Sequence, residues 1–382
     1  MITTFVSTDD DVRASIRAGA THLIIEHSRI TIRSFYQDDE QSFAKFGQLC
    51  QIAKALLPSI NLSMAIDILP HEDDFGVIQT AIQAGVNAGI RSFRIQDIGL
   101  ASLIRELVPN ATITLAPEIG YHSAESLRLA LDHVDWVSVS NEVELMTLSG
   151  LGPLSQRVEV QVQGPIMIQY SYRRYLDGLF GNAVSYDRRA SDTGYVGRQV
   201  RFYDSPNGTV MYLYFDRCLL RELPQLRGLS LHSWLIDARG ESPEYRNLAI
   251  STYRSAFQCD EIDPSSIITT LSEISEKAQR PGFFLRNNTD QDRDRLIGDR
   301  SIGAVVRDSV KDRYLVIEIR QFVSDLPDRC EIVTTKNELK IATSLHYRDA
   351  ISLKETRAAK PGELLLIPWI AGVGTKSTLL FY

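Results

Sequence analysis

Residues 158–178 read VEVQVQGPIMIQYSYRRYLDG, and the way this stretch is taken decides how the chain around it is arranged. Val158, Val160 and Val162 alternate with Glu159, Gln161 and Gln163, the period of a β-strand. Gly164-Pro165 predicts a break, after which residues 170–175 are rich in tyrosine and arginine. A strand that hands over to polar aromatics and arginines is either the wall of a site or a buried strand followed by a surface loop.

Upstream, short apolar strands alternate with amphipathic helices. Thr8 and Gly19 bracket a helix over 9–18 as N-cap and C-terminal stop. Strands are expected over 22–27, 61–69, 89–96, 111–116 and 135–140, separated by helices over 41–57, 75–88, 98–107 and 124–131, with a short helix over 142–148. Downstream, strands over 198–203 and 209–215 flank Ser205-Pro206-Asn207-Gly208, a hairpin turn signal, and a last strand spans 231–237. Helices over 243–258 and 264–277 follow, each opening on a proline suited to the first turn. Without one strand of the hairpin this gives eight strands in roughly 280 residues, the arithmetic of a (β/α)8 TIM-like barrel. An open doubly wound sheet is the alternative, but no GxGxxG follows the strand at 22–27.

Composition shifts near Arg286. The expected organisation is a barrel over 1–285, a polar linker over 286–300 and a small all-β domain over 301–382. That last part shows only strand patterns (IGAVVRD, RYLVIEIRQ, CEIVTT, LKIATSLHY, ELLLIPWI) and reads as a small β-barrel. The 382 residues are 44% hydrophobic and 23% charged, the profile of an ordinary globular protein. A net charge of −7 argues against the whole surface being a nucleic-acid footprint. No apolar run has the roughly 18 residues of a membrane span, and the start MITTFVSTDDDV has no basic segment ahead of an apolar core. Cys50, Cys218, Cys259 and Cys330 form no CxxC cluster. These features point to reduced thiols in a cytoplasmic protein.

In such a barrel chemistry sits at the C-terminal ends of the strands. Those ends carry Glu26, His27, Asp67, His71, Gln96, Asp97, Glu118, His122, Asn141, Glu142, Gln163, Asp237 and Arg239. His27, His71 and His122 could join Glu26 or Glu118 in a metal site, or be ordinary loop histidines. HExxH, Walker and GxSxG motifs are absent. Between 172 and 201, Arg173, Arg174, Arg188, Arg189, Arg198 and Arg201 interleave with Tyr172, Tyr175, Tyr186 and Tyr195. That mixture suits stacking on single-stranded RNA, a protein contact, or a solvated loop.

These residues resemble peptidase family U32, the collagenase-like group that includes tRNA, ribosomal RNA and ubiquinone hydroxylation proteins. AGATHLIIEHSRITIRSF is similar to the family's opening segment, with Arg33 at its arginine. ILPH, with His71, and IQDIGL, with Asp97, match the next strand ends, and SNEV keeps Glu142. LIDARG, with Asp237 and Arg239, resembles KIEGR, and RPGFF resembles RGYTxGF. The opening stretch is similar to the signature ExFVHGALCxAYSGRCxLS, and the C-terminal β domain resembles the extension of the longer members.

Relatives with hydroxylation roles hold an iron–sulfur cluster on four cysteines, two of them in the signature. Here those two positions are Met167 and Arg174, the signature histidine is Gln163, Pro117-Glu118 replaces Gln-Ala, and Leu213-Tyr214-Phe215 precedes Asp216. The resemblance therefore implies a divergent member with no iron–sulfur cluster and no other cofactor, an auxiliary or non-catalytic subunit related to RNA or quinone hydroxylation. The alternatives are a U32-type peptidase and an RNA-binding or RNA-modifying protein. If the chain is active, Glu118, Asp237, Arg239 and Glu142 are the expected catalytic groups. Arg33, His71, Asp97, Arg173, Arg174 and Tyr175 are the expected substrate or partner contacts. The partner would be a cysteine-bearing relative, a second copy, or RNA.

Overall fold

The computed structural model describes residues 1–33, 43–180, 187–191, 199–258, 262–285, 301–335 and 338–381. The linker at 286–300, Cys259, Tyr186, Asp192, Tyr195, Arg198 and the side chains of Arg188 and Arg189 lie outside the described residues. The chain divides into two compact units, one made of 1–190 with 199–287, the other of 191–198 with 288–382.

The first unit opens with β1 (Ile2–Val6), α1 (Asp9–Ala18), β2 (His22–Ile25), α2 (Lys45–Leu56), β3 (Asn61–Ile66), α3 (Phe75–Asn87), β4 (Ser92–Ile95) and α4 (Gly99–Leu107). It continues through β5 (Thr112–Leu115), α5 (Ala124–His133), β6 (Trp136–Ser138), α6 (Leu145–Ser149) and β7 (Val158–Ser171). After α7 (Tyr175–Phe180) come β8 (Asp187–Ser191), β9 (Gln199–Ser205), β10 (Gly208–Cys218), α8 (Leu223–Gly228), β11 (Ser233–Ile236), α9 (Pro243–Phe257), α10 (Pro264–Ser275) and β12 (Ala278–Arg280). Strands β1 to β7 pair in parallel in sequence order, and β11 pairs in parallel with both β7 and β1. Among the described residues this closes an eight-stranded parallel barrel.

The count of eight agrees with the sequence, but one strand differs. The barrel strand that sequence reasoning missed is β1, a run of five wholly buried residues ahead of the first helix. The hairpin strand at 209–215 belongs outside the barrel, because β10 pairs antiparallel with β7 and β9. Nor does β7 stop at Gly164-Pro165; it runs to Ser171. Gly164 has φ +120°, and a Cβ there would collide with the Asp237 carbonyl. Only glycine lets β7 leave the barrel so close to the end of β11 and continue as a partner for the hairpin.

Alternation along the strands sorts the core. Leu23, Ile25, Met64, Phe93, Ile113, Val137, Val158, Val160 and Trp234 belong to the large apolar layer that also holds the inward faces of the helices. The opposite face of the same strands carries a small apolar cluster, Phe5, Ile24, Ala65 and Leu235. It also carries buried polar residues, among them Ser63, Arg94, Ser138, Glu159 and Gln161. Both faces of each strand are therefore buried, as parallel barrel strands require. Local capping agrees with the sequence. Thr8 Oγ1 accepts from the Asp11 amide at 3.1 Å while the Asp11 carboxylate accepts from the Thr8 amide at 3.2 Å, and Gly19 ends α1 at φ 104°.

The second unit is a seven-stranded sheet ordered β16-β15-β19-β13-β14-β18-β17, with every pairing antiparallel. Its strands are β13 (Ile302–Val310), β14 (Tyr314–Ile319), β15 (Arg329–Val333), β16 (Leu339–Thr343), β17 (Arg348–Asp349), β18 (Leu364–Pro368) and β19 (Thr378–Leu380). It curls around its own apolar core, including Ile317, Ile332 and Leu379. Among the described residues its end strands β16 and β17 do not meet, so it is an antiparallel half-barrel.

Candidate functional site

The mouth of the barrel, at the C-terminal ends of its strands, is filled by ion pairs. Arg33 is carried there by the loop after β2. Asn207, in the hairpin turn, donates to the Ser28 and Thr31 carbonyls at 2.7 and 2.8 Å, and the Asp67 carboxylate accepts from the Ile32 amide at 2.8 Å. The hairpin therefore clamps the loop that positions Arg33. Its guanidinium donates through Nη1 to Asp237 at 2.8 Å and through Nη2 to Glu118. Arg239 faces the same carboxylate from the other direction, donating through Nε and Nη2 to Asp237 at 2.9 and 2.8 Å, and through Nη1 to Glu26 at 3.1 Å. The Phe5 ring lies 3.6 Å from the Arg239 guanidinium carbon and 5.5 Å from that of Arg94. Deeper in the barrel, Arg94 donates to Glu159 at 2.6 Å and to Ser138 at 2.9 Å.

Asp67 and Glu26 are buried in the same mouth as Glu118 and Asp237, so the acids outnumber Arg33 and Arg239 there. The carboxylates respond differently. Burial would raise Asp237, but the Arg239 and Arg33 guanidiniums overcome it and hold the group at about 2. Glu26 is pushed up to about 7 by burial, helped by Asp67 and Asp237, despite its pairing with Arg239. Glu118 is also raised by burial, against the pull of Arg33. The mouth thus stores one firmly ionised carboxylate and at least one that takes a proton near neutrality. The free space bounded by Arg33, Arg94, Glu118, Asn141, Asp237 and Arg239 is only about 10 Å³, about the volume one water needs.

A second polar chain runs from the inner strands to the outer helices. Asn141 donates through Nδ2 to Gln161 at 3.2 Å and accepts at Oδ1 from Arg217 at 2.6 Å, and Gln161 donates to the Pro165 carbonyl at 2.9 Å. Gln163 donates to Tyr245 and to Gln279, both at 2.6 Å, and Tyr245 donates to Asp216 at 3.2 Å. Lys277 reaches Asp216 at 3.4 Å and also pairs with Glu241. Arg217 is fully buried, its Nε and Nη2 have no hydrogen-bond partner among the described residues, and burial brings its pKa down to about 10.

Of the residues singled out from sequence, Glu26, Arg33, Glu118, Asp237 and Arg239 come together. Glu142 stands apart, half-buried and 3.0 Å from the exposed His122. Asp97 lies just ahead of α4 and accepts from the Gly99 amide at 2.7 Å. His71 is exposed, its ring centroid 4.3 Å from that of Tyr172. His27 is buried against Phe43 and Phe46. Among the described residues no three His, Cys, Asp or Glu side chains converge as a metal site. Arg173, Arg174 and Tyr175 are exposed beyond the end of β7, with Arg174 paired to Asp177 at 2.6 Å. Sequence reasoning missed Arg94, Glu159 and Arg217. The signal was the alternation of 158–163 itself, in which the polar side chains are as buried as the valines.

A model of peptidase family U32 matches residues 8–294. A curated relative, the tRNA hydroxylation protein P2 of Bacillus subtilis (strain 168), is 19% identical over 310 residues, covering 72% of this chain and 94% of that protein. Among solved structures, a GH18 chitinase from Cycas revoluta in complex with (GlcNAc)3 is 10% identical with a TM-score of 0.37, covering 68% of this chain and 100% of its own. Oxaloacetate acetylhydrolase in complex with oxalate is 12% identical, also at 0.37, covering 72% of this chain and 88% of its own. At those scores neither structure bears on function.

Proposed function

The chain belongs to peptidase family U32, and from that premise we propose that it is a member without an iron–sulfur cluster, acting in the cytoplasm as an auxiliary, non-catalytic subunit in the hydroxylation of transfer RNA. The observation that carries this reading is the barrel mouth. Arg33, Glu118, Asp237, Arg239 and Glu26 pair with one another, leaving Arg33 Nε without a hydrogen bond among the described residues, and the space among them is about 10 Å³. A site built to receive a substrate keeps some of its charges free and a cavity of several hundred Å³.

The two positions that the family resemblance assigns to signature cysteines do not fit a cluster. Met167 is a buried thioether, and Arg174 is an exposed guanidinium paired to Asp177. Neither supplies a thiolate. The name of the Bacillus subtilis relative supports the choice of transfer RNA over quinone. The exposed Tyr172, Arg173 and Tyr175 are the surface offered to a cysteine-bearing relative or to the RNA itself. Among the described residues no helix is long and apolar enough to cross a membrane.

The test is a deletion strain whose transfer RNA nucleosides are read by mass spectrometry. Hydroxylated nucleosides fall in the deletion and return with the wild-type gene and equally with Glu118→Gln or Asp237→Asn. Unchanged nucleosides refute the assignment to transfer RNA. Failure of folded Glu118→Gln to restore them, or peptide cleavage by the pure chain that this substitution abolishes, refutes the non-catalytic role. Near-stoichiometric iron and sulfide after anaerobic purification refute the absence of a cluster.

A further inference from the structure

Strand β16 ends the C-terminal sheet, and among the described residues no strand pairs with its outer side. Its pairing with β15 runs from Arg329–Thr343 to Val333–Leu339 without a register shift. The Thr334 amide donates to the Glu338 carbonyl at 2.9 Å. Hydrogen-bonded pairs alternate along an antiparallel ladder, so Ile332–Lys340 and Cys330–Ala342 are the bonded pairs that follow. The amides and carbonyls of Leu339, Ile341 and Thr343 therefore point to the free edge.

The same residues present their side chains on the outer face. Leu339 is 44% and Ile341 54% exposed and Thr343 is exposed, whereas Ala342 is buried on the opposite face. Several devices that guard an edge are missing: the strand LKIAT has no proline and no bulge, and none of its outward side chains is charged, so the one guarding charge is the inward Lys340. Its lysine, Lys340, lies on the other face, with its ammonium on the Ala371 carbonyl at 2.6 Å.

We propose that β16 pairs antiparallel with β16 of a second copy, about a two-fold axis at Ile341, joining two C-terminal sheets into one. The register is self-complementary. Ile341 exchanges both hydrogen bonds with the partner's Ile341, and Leu339 does so with the partner's Thr343. Lys340 lies beside the partner's Ala342, so no like charges face each other across the seam. An isologous contact of this kind closes at two copies instead of propagating. It draws only on the C-terminal unit and is independent of the reading of the barrel mouth.

Sedimentation equilibrium of the full chain tests it. Wild type behaves as a dimer that dissociates on dilution. Ile341→Lys, which sets like charges on the axis, is monomeric with an unchanged circular dichroism spectrum and melting temperature, and mixing it with Ile341→Glu restores the dimer. Register is read by oxidation. Bonded antiparallel pairs have Cα atoms about 5.5 Å apart, within disulfide reach. Ile341→Cys therefore cross-links to its own copy, whereas Thr343→Cys cross-links only when mixed with Leu339→Cys. A wild type that stays monomeric up to about 1 mM, a dimer that survives Ile341→Lys, or Thr343→Cys cross-linking to itself as readily as Ile341→Cys would each overturn the proposal.

Discussion

Replacing Arg33 with methionine asks whether the ion pairs of the barrel mouth hold the fold together as a unit. Arg33 is 1% exposed and bridges Asp237 and Glu118. The two acids lose different amounts. Asp237 keeps Arg239, through side-chain bonds of 2.9 and 2.8 Å and a backbone bond of 3.2 Å. Glu118 loses its one ion-pair partner among the described residues. Removing one member of a buried pair costs about 3–5 kcal/mol, chiefly because the remaining charge is stranded. We expect that loss at about pH 8, measured by urea unfolding followed through Trp136 and Trp234, both in the barrel unit.

The stranded carboxyl responds to pH. Without Arg33, Glu118 in the folded chain holds its proton above the unfolded value, so the deficit shrinks as pH falls and the group is neutralised. Replacing both partners, as Arg33→Met with Glu118→Leu, removes the stranded charge and recovers about 1–3 kcal/mol relative to the sum of the single losses. If Arg33→Met lies within about 0.5 kcal/mol of wild type, or the double variant is merely additive, the mouth is not an interdependent network and the argument from it fails.

Further outcomes follow from the same geometry. Glu26, raised from 4.5 to about 7, binds a proton in the folded chain that the unfolded chain releases, so its contribution to stability falls as pH rises through that window and levels off above it. Glu26→Gln lacks this dependence, and its stability relative to wild type rises by about 3 kcal/mol from the bottom of the window to the top, as denaturant titrations across the range will show. Gly164→Ala forces a side chain into the Asp237 carbonyl at φ +120° and costs about 4 kcal/mol or more, visible as loss of folded protein on expression or a collapsed urea midpoint. Arg94→Met strands Glu159 and costs about 3–5 kcal/mol. Arg217→Met removes a buried cation with no ion-pair partner among the described residues and two unsatisfied nitrogens, and costs less than Arg94→Met in the same assay.

Much of the barrel was legible because its punctuation is local. Thr8, Gly19, Pro243 and Pro264 start and stop helices through bonds made within a few residues of themselves. The strand ends and the family resemblance also picked out Arg33, Asp237 and Arg239, as a contact residue and two catalytic groups, without showing that they would pair. Strand β1 was missed because five buried residues ahead of a helix carry no alternation to mark them. The break placed at Gly164-Pro165 was a bend, since a glycine at positive φ redirects β7 without ending its pairing. Glu142 and Asp97 stood at strand ends in sequence as Glu118 does, yet one pairs with an exposed histidine and the other accepts from the first amide of a helix.

By itself the sequence determined the alternation of strands and helices from α1 onward, the barrel class, the all-β character of the C-terminal unit and the residue types at the strand ends. Those features depend on short-range periodicity and capping, which each segment carries within itself. Which strand closes the barrel, which charges share one mouth and which edge stays open were decided only by the tertiary structure. Arg33 and Asp237 lie 204 positions apart and become partners only when β11 closes on β1 and the hairpin clamps the loop after β2.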